Sequence, residues 1–305
     1  MSILTTHWLN QSKSNYVLVR EWGVKEAPKG VIHLLHGMME HSGYYHDWAL
    51  KLSKFGWIVI AHDHPGSGLS VMLRCGSDHV PMDGAKQMVS ISQYVDQWIR
   101  IKYPNLPIVR YGHSMGAFVA INGCLSGIES DGLILTGASF ERKWILLLQQ
   151  YFLRFMSFVK PISSKAKFAN FITFFPLNRN FKPNKTKYDW LSRNRVALKR
   201  YLDDPLCGNT ASWGYFYSLN QHLLTIISNK KYQRKLPSTL FIIGEYDPLS
   251  NFGKKILIYL KRNSQEYQSV MSYFIPGARH KVEYDNNQTL VLGKISKFLR
   301  GINEK

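Results

Sequence analysis

The sequence is poor in cysteine and has no long apolar run. Its three cysteines, Cys75, Cys124 and Cys207, are odd in number, and their spacing matches neither a metal site nor the disulfide framework of a small secreted domain. They are interpreted as free thiols in a reducing compartment, the cytoplasm. Residues 1–16 lack a basic start followed by an apolar run, so no secretory signal is expected, and no segment approaches the roughly twenty apolar residues that span a bilayer. These absences argue against a disulfide scaffold and a membrane-spanning protein.

Acidic residues are also scarce. The chain has 39 lysines and arginines against 20 aspartates and glutamates, which gives a net charge of +19. Most of the excess falls in residues 140–235, which contain eighteen basic and four acidic residues. These basic residues are mixed with apolar runs and no recognised nucleic-acid-binding module is present, so a nucleic acid partner is not expected. Bulky apolar residues flanked by basic ones instead favour peripheral contact with an anionic membrane surface.

Linkers rich in glycine, serine or proline are absent, and so are internal repeats. A chain of this length forms either one large α/β domain with an insertion or two small domains. Strand-like and helix-like segments alternate, as in 57–60 followed by 84–103, which predicts a mostly parallel, doubly wound sheet covered by helices on both faces. Residues 1–139 and 236–305 are assigned to this core, and the basic, apolar segment 140–235 is assigned to an insertion.

A Gly-x-Ser-x-Gly motif at 112–116 carries the strongest chemical signal. It lies between a segment at 106–111 that predicts a strand and an apolar segment at 117–125 with helical spacing. A serine in such a sharp turn has a strained backbone, and the glycines two residues to either side let the neighbouring chain pass. The turn makes Ser114 a candidate nucleophile. It also puts the amide of Met115 at a helix N-terminus, where the amide can stabilise an oxyanion.

Two further catalytic groups are expected at the ends of later strands. Asp247 follows the predicted strand 238–243, and His280 follows the predicted strand 269–275. Asp247 is assigned as the acid that orients an imidazole, with Glu245 on the same turn as the alternative. His280 is assigned as the base. The order Ser, Asp, His, with each residue at the carboxyl end of a predicted strand, is that of the α/β-hydrolases.

The loop after the predicted strand 30–35 is expected to supply a second oxyanion donor. Gly37 permits a tight turn that directs the amide of Met38 toward a carbonyl oxygen near the nucleophile. The side chains of His36 and Glu40 in this loop suit either a structural network or contact with a substrate. For Met38 only the backbone matters.

One histidine-rich segment resembles a metal site at first sight. His62, Asp63 and His64 are all metal-ligand types, but proline and glycine follow them and predict a turn after a strand. Neither a metal nor another cofactor is therefore expected.

Five motifs, in this order, resemble the monoglyceride lipase and lysophospholipase branch of the α/β-hydrolase superfamily, a serine aminopeptidase-like branch. They are HGMMEHSGYY (36–45), AHDHPGSGLS (61–70), GHSMGA (112–117), GEYDPLS (244–250) and GARH (277–280). The resemblance covers the chain except for the insertion, in which DPLCG (204–208) is also similar to a segment of bacterial members. It implies an α/β-hydrolase fold with a helical cap inserted after the sixth strand.

The resemblance also implies which residues act. It makes Ser114, Asp247 and His280 the catalytic triad, with the amides of Met38 and Met115 as oxyanion donors. These are the same residues that the local patterns predict.

A polar head-group site is implied by the same resemblance. In family members that bind glycerol, the residues matching Glu40 and His113 help to hold the polar head group. Tyr44 stands where those members have an arginine, which makes it a third candidate contact.

The reaction implied is hydrolysis of a carboxylic ester through an acyl-enzyme on Ser114, with a single-acyl lipid such as a monoacylglycerol or a lysophospholipid as substrate. One alternative is a peptidase or small-ester hydrolase of the same fold. The other is an inactive scaffold whose basic cap binds a membrane or a nucleic acid.

Within the insertion, residues 144–159 predict a helix with an unusually wide apolar face. At helical spacing, Gln150, Arg154 and Ser157 form one narrow polar stripe. Such a helix either packs against the core, lines an acyl site or contacts lipid.

Overall fold

The structure, a computed structural model, describes residues 4–12, 15–24, 26–70, 82–228 and 235–304. Cys75 lies outside the described residues. The two described cysteines, Cys124 and Cys207, are free thiols.

Eight strands of the described chain form one sheet. Their spatial order is β1 (Leu4–Ser12), β2 (Asn15–Trp22), β4 (Trp57–His62), β3 (Gly30–Leu35), β5 (Ile108–His113), β6 (Gly132–Thr136), β7 (Thr239–Gly244) and β8 (Val270–Ile275). β2 pairs antiparallel with β1 and with β4, and every other pair of neighbours is parallel. The mostly parallel sheet predicted from the sequence is confirmed, with β1 and β2 as an antiparallel addition at one edge.

Helices cover both faces of this sheet. In chain order they are α1 (His46–Ser53), α2 (Gly84–Lys102), α3 (Met115–Leu125), α4 (Lys143–Val159), α5 (Lys167–Phe174), α6 (Arg195–Asp203), α7 (Trp213–Ser228), α8 (Lys254–Asn263) and α9 (Gln288–Asn303).

Side chains of β3 pack against helices on both faces of the sheet. Ile32 and Leu34 belong to the cluster that packs with α1 and α9. Val31 belongs to the cluster that includes α2, and Leu35 belongs to the cluster that includes α3. Because side chains alternate along a strand, a strand that is apolar on both faces needs helices on both sides.

The helices α4 to α7 all lie between β6 and β7, so the helical insertion after the sixth strand is confirmed. Within it α4 packs against α7, where the Asn220 amide donates to the Leu146 carbonyl at 3.0 Å. The insertion is also bonded to the loop after β3. The Gly208 amide and the Tyr201 hydroxyl both donate to the carbonyl of Met39, at 2.9 and 3.0 Å.

Most of the apolar surface of α4 is exposed. In this helix only Leu146 and Leu153 are buried. The wide apolar face predicted for residues 144–159 is present, and α5 and the turn after it also expose apolar side chains. We call these residues together the exposed apolar face; they are Trp144, Leu147, Leu148, Tyr151, Phe155, Phe158, Phe168, Phe171, Ile172 and Phe175.

Candidate active site

Ser114 lies at the turn between β5 and α3 with a strained backbone. Its φ is 52° and its ψ is −116°, and its side chain is half-buried. A Cβ at Gly116 would lie 2.0 Å from the Leu35 carbonyl oxygen, and a Cβ at Gly112 would lie 2.5 Å from the Cα of Ala117. Backbone surrounds both glycines, so larger residues there would displace the turn.

The two backbone amides that the sequence predicts as oxyanion donors belong to residues that line one cavity. Met38 and Met115 line the same cavity as Ser114. Neither amide has a protein acceptor among the described hydrogen bonds. The loop is shaped by His36, whose Nε2 accepts the His64 amide at 3.0 Å and whose Nδ1 therefore donates to the Gly37 carbonyl at 2.7 Å.

The predicted acid and base lie in contact beneath this cavity. His280 Nδ1 is 3.2 Å from Asp247 Oδ1, and both side chains are buried. Since a carboxylate only accepts, Nδ1 carries the proton and Nε2 is left as an acceptor. The alternative acid, Glu245, instead accepts the Gly277 amide at 2.7 Å.

Ser114 and His280 line one cavity, but the described contacts include no hydrogen bond between them. Catalytic hydrogen bonds are often long without substrate and tighten when it binds. The His280 ring packs against His113 and Trp190, at centroid distances of 5.0 and 5.1 Å. The imidazole is thus held between two rings and a carboxylate.

A buried ion pair that sequence reasoning missed lies beside the nucleophile. Lys281 donates to Glu40 Oε2, and both side chains line the cavity. Glu40 Oε1 accepts the Gly37 amide at 2.5 Å and the Tyr45 hydroxyl at 2.6 Å. The only sequence signal was the position of Lys281, directly after the predicted base.

Ion pairing outweighs burial in setting the direction in which the pKa values of Glu40 and Lys281 shift. Burial alone raises the pKa of Glu40, but the attraction of Lys281 and His113 and its hydrogen bonds outweigh burial and lower the pKa to about 2. Burial alone lowers the pKa of Lys281, and the attraction of Glu40 reverses this and raises it. The pair is therefore ionised at neutral pH.

Tyrosine rings surround the Lys281 ammonium. Its Nζ lies 4.2 Å from the centre of the Tyr44 ring, and the rings of Tyr45, Tyr201 and Tyr284 lie 5.3 to 5.5 Å away. Tyr44 is buried beneath the lysine and is not among the residues that line the cavity, whereas Tyr201 is.

His113, which the resemblance also implies as a head-group contact, lines the cavity and lies next to a second buried carboxylate. Its Nδ1 lies 3.2 Å from Glu283 Oε1, which also accepts the Tyr111 hydroxyl at 2.8 Å and the Thr136 hydroxyl. Burial raises the pKa of Glu283, but His113 and the hydrogen bonds outweigh it and lower the pKa to about 2. Sequence reasoning missed Glu283 because nothing local marks its partner.

The cavity has a volume of about 470 Å³, within the range of sites for small ligands. Its polar lining includes Glu40, His113, Ser114, His280 and Lys281, and also the ion pair of Lys255 with Glu141 at 2.6 Å. The remaining wall comes largely from apolar side chains of the insertion, namely Leu146, Phe152, Leu153, Ile172, Phe174, Leu177, Phe216, Leu219 and Leu223.

The histidine-rich segment forms hydrogen-bonded networks rather than a ligand cluster. His62 Nδ1 is 3.0 Å from His33 Nε2, and Asp63 accepts the Ser42 amide at 2.9 Å. In the described part of the chain, one group has ligand atoms within 4.8 Å of one another: His41, Asp204 and Cys207.

That group is already held together by hydrogen bonds. His41 Nε2 lies 2.9 Å from Asp204 Oδ2. Burial raises the pKa of the Cys207 thiol well above its usual value, which disfavours the thiolate that binds metals.

Comparison with known families places most of the chain in one group. The family model described as serine aminopeptidase, S33, matches residues 26–287. The chain is 33% identical to rat monoglyceride lipase over 66% of its own length and 59% of that protein. It is 36% identical to human monoglyceride lipase over 41% and 39% of the two chains, and 32% identical to the monoacylglycerol lipase of Mycolicibacterium smegmatis over 38% and 40%. The matches thus span between 39% and 59% of these relatives.

Solved structures share the architecture over nearly the whole chain. A thermostable carboxyl esterase from Bacillus coagulans, solved with glycerol, has a TM-score of 0.84 at 22% identity over 98% of this chain and 99% of that one. A soluble variant of Saccharomyces cerevisiae monoglyceride lipase, solved with a substrate analogue, has a TM-score of 0.75 at 14% identity over 99% and 96%. At these identities the likeness concerns the fold. No helix of the described residues is long and apolar enough to cross a membrane.

Proposed function

The chain belongs to the serine aminopeptidase, S33, family, and from this premise we propose that it is a serine hydrolase that cleaves the ester bond of a single-acyl lipid, a monoacylglycerol or a lysophospholipid. The membership and the α/β-hydrolase fold confirm the resemblance read from the motifs. One observation carries the proposal: the strained Ser114 and the Asp247–His280 pair meet at a cavity with largely apolar walls.

The proposed reaction begins with Ser114 Oγ attacking the ester carbonyl. His280 Nε2 takes the serine proton, while Asp247 holds the Nδ1–H and stabilises the imidazolium. The amides of Met38 and Met115 stabilise the negative charge on the former carbonyl oxygen. His280 then protonates the leaving alcohol, and water activated by the same histidine releases the acyl group as a fatty acid.

The walls of the cavity support a lipid rather than a peptide as substrate. Insertion side chains such as Phe152, Leu153 and Phe216 provide apolar surface for one acyl chain. Glu40 and His113 supply polar groups at the end nearest Ser114, where the head group would lie. The names of the lipase relatives agree with this assignment.

A membrane contact belongs to the same proposal. The exposed apolar face is bordered by exposed basic residues, among them Lys143, Lys160 and Lys167. This arrangement suits insertion of aromatic side chains into the surface of an anionic bilayer. A substrate could then pass from the bilayer into a cavity whose wall is formed by the same helices. We also propose that residues 140–235 act as the cap over the site.

The central test is the nucleophile. Ser114→Ala should abolish labelling by a fluorophosphonate probe and lower kcat for 1-oleoylglycerol on the order of 10⁶-fold. Ser139→Ala is a matched control, because Ser139 lines the same cavity but donates its hydroxyl to the Leu249 carbonyl. Labelling that persists in Ser114→Ala would refute the assignment.

A substrate panel separates the competing functions. We expect the wild type to prefer 1-oleoylglycerol or 1-oleoyl lysophosphatidylcholine over p-nitrophenyl butyrate and over alanine p-nitroanilide. Preference for the anilide would indicate the peptidase alternative. Failure to react with every substrate and with the probe would indicate an inactive scaffold.

A further inference from the structure

A second cavity lies beside the catalytic one. It has a volume of about 730 Å³ and is formed by α5, the turn at Phe175–Phe181 and the segments 182–188 and 208–210. Met39 and Phe174 line both cavities. The second cavity is therefore built by the insertion and by the loop that carries the proposed oxyanion donor.

Its charge distinguishes it from three other cavities of the described chain, including the catalytic one. Arg179, Lys182 and Lys187 line it, and no described acidic residue does. Each of the other three described cavities includes at least one glutamate. We therefore call it the basic cavity.

These three cations are not neutralised by described residues. None of them forms an ion pair with any described side chain, and the carboxylate of the same segment, Asp189, is buried and paired with Arg195 at 2.9 Å. Aromatic rings that line the cavity lie next to two of the cations. The Arg179 guanidinium is 5.8 Å from the centre of the Phe175 ring, and Lys187 Nζ is 5.0 Å from the Tyr188 ring.

Neutral polar side chains in the basic cavity divide into two kinds. Asn170 and Asn178 use their amides to hold backbone groups such as the Ala211 and Thr186 carbonyls, so they form the wall. Asn184 and Thr210 make no side-chain hydrogen bond to any described residue and are available as donors.

One rim of the basic cavity is apolar and belongs to the exposed apolar face. Phe171 and Phe175 stack with their centroids 4.7 Å apart, and both are exposed. A ligand that suits this site therefore has an anionic group joined to an apolar body. Guanidinium and ammonium groups pair strongly with phosphate oxygens.

We propose that the basic cavity binds the phosphate of an anionic membrane glycerophospholipid, whose acyl chains lie along the exposed apolar face. This inference rests on the proposed membrane contact. It adds one specific phosphate site to the general attraction between the basic insertion and an anionic bilayer. A phosphate bound here would hold the insertion in an orientation in which the apolar rim of the basic cavity contacts the bilayer.

The test uses a lipid that stays monomeric. Binding of dihexanoylphosphatidylglycerol to the full chain is measured by calorimetry in the Ser114→Ala background, which prevents hydrolysis of the probe. Dihexanoylglycerol, which lacks the phosphate, and inorganic phosphate are measured alongside. We expect the phospholipid to bind more tightly than either.

Two triple variants then locate the site. Arg179→Gln/Lys182→Gln/Lys187→Gln should weaken phospholipid binding about tenfold, as the loss of three partly exposed charge pairs implies. Lys254→Gln/Lys261→Gln/Arg262→Gln removes the same charge from exposed positions of α8, outside the insertion, and should leave this affinity unchanged. Thermal unfolding of both variants checks that they are folded.

Three outcomes would overturn the proposal: equal affinity for inorganic phosphate and the phospholipid, equal affinity for dihexanoylglycerol and the phospholipid, or equal losses in the two triple variants. The monomeric probe needs neither vesicles nor catalysis. Failure of vesicle binding or of fluorophosphonate labelling therefore gives results distinct from failure of the basic cavity.

Discussion

At the scale of single residues, the ion pair of Lys281 with Glu40 joins the loop of the proposed oxyanion donor to the loop of the proposed base. Glu40 holds the amide of Gly37 in the proposed oxyanion loop, and Lys281 directly follows His280. The pair is enclosed by tyrosine rings and is almost fully buried. Removing one member leaves the other as a buried, unpaired charge, which costs more than removing both.

We therefore predict that Lys281→Met lowers the free energy of unfolding by about 3–5 kcal/mol. The double variant Lys281→Met/Glu40→Gln should recover a large part of this loss, because no buried charge remains. Urea denaturation of the two variants and of Glu40→Gln completes a double-mutant cycle. Equal losses in Lys281→Met and in the double variant would show that charge is not the reason.

Protonation of Glu283 is expected to destabilise the folded protein at low pH. Its pKa is about 2 in the folded protein against an ordinary value of 4.5, so the folded state binds the proton more weakly than the unfolded chain does. Stability from this group is full above about pH 4.5 and is lost as pH falls toward 2. The loss amounts to about 3 kcal/mol for this carboxyl.

Glu283→Gln should therefore flatten the decline of unfolding free energy between pH 4.5 and 2, while the exposed Glu304→Gln should leave the decline unchanged. Denaturant titrations at a series of pH values measure both. A decline of the same steepness in Glu283→Gln and wild type would assign the acid sensitivity to other groups.

At the scale of elements, sequence patterns predicted the strands and the turns between them well. β5, β7 and β8 lie where β-branched and aromatic segments placed them, and α2 and α4 lie where helical spacing did. The antiparallel β1 and β2 were not predicted: β1 lacks an apolar alternation, as Thr5, Thr6 and Asn10 show, whereas the β-branched Val17 and Val19 of β2 were a signal that was not used. Lys281 and Glu283 were missed because their partners Glu40 and His113 lie far away in sequence.

The exposed side of α4 provides a prediction at this scale. Phe155 is 62% exposed and Leu147 is 40% exposed, so replacing either removes less buried apolar surface than replacing the buried Leu146 of the same helix. Phe155→Asp or Leu147→Asp should weaken binding to anionic vesicles and lower hydrolysis of long-chain esters more than of short-chain esters.

Ile101→Asp is a matched control, because Ile101 on α2 is 83% exposed and lies outside the exposed apolar face. It should leave vesicle binding and chain-length preference unchanged. Vesicle sedimentation and hydrolysis of p-nitrophenyl esters of increasing length measure the two quantities. The same effect in all three variants would point to net charge rather than to the apolar face.

At the scale of the whole molecule, charge is unevenly distributed along the chain, which bears on the proposed membrane contact. Residues 140–235 carry eighteen basic and four acidic residues, whereas the rest of the chain is close to balanced. Attraction between exposed charges and a bilayer decays over a Debye length of about 8 Å at physiological salt. In the proposed membrane contact, apolar side chains that enter the bilayer are expected to supply the part of the binding that salt does not remove.

We expect the wild type to bind vesicles that contain anionic lipid more tightly than neutral vesicles, and added salt to reduce this preference without abolishing binding. Sedimentation with phosphatidylcholine vesicles, with and without phosphatidylglycerol, across a salt series measures both effects. Equal binding to the two kinds of vesicle at low salt would leave the basic insertion as a lid without a membrane role.

Under the proposed membrane contact, the two hydrogen bonds to the Met39 carbonyl would couple a bilayer that binds the insertion to the proposed oxyanion loop. Gly208 and Tyr201 belong to the insertion, and Met39 directly follows the proposed oxyanion donor. A surface that shifts the insertion therefore acts on the peptide that must recognise the transition state. Thermodynamic linkage makes this coupling reciprocal. A reversible boronic acid bound to Ser114 should therefore change the affinity for vesicles by the same factor by which vesicles change the affinity for the boronic acid.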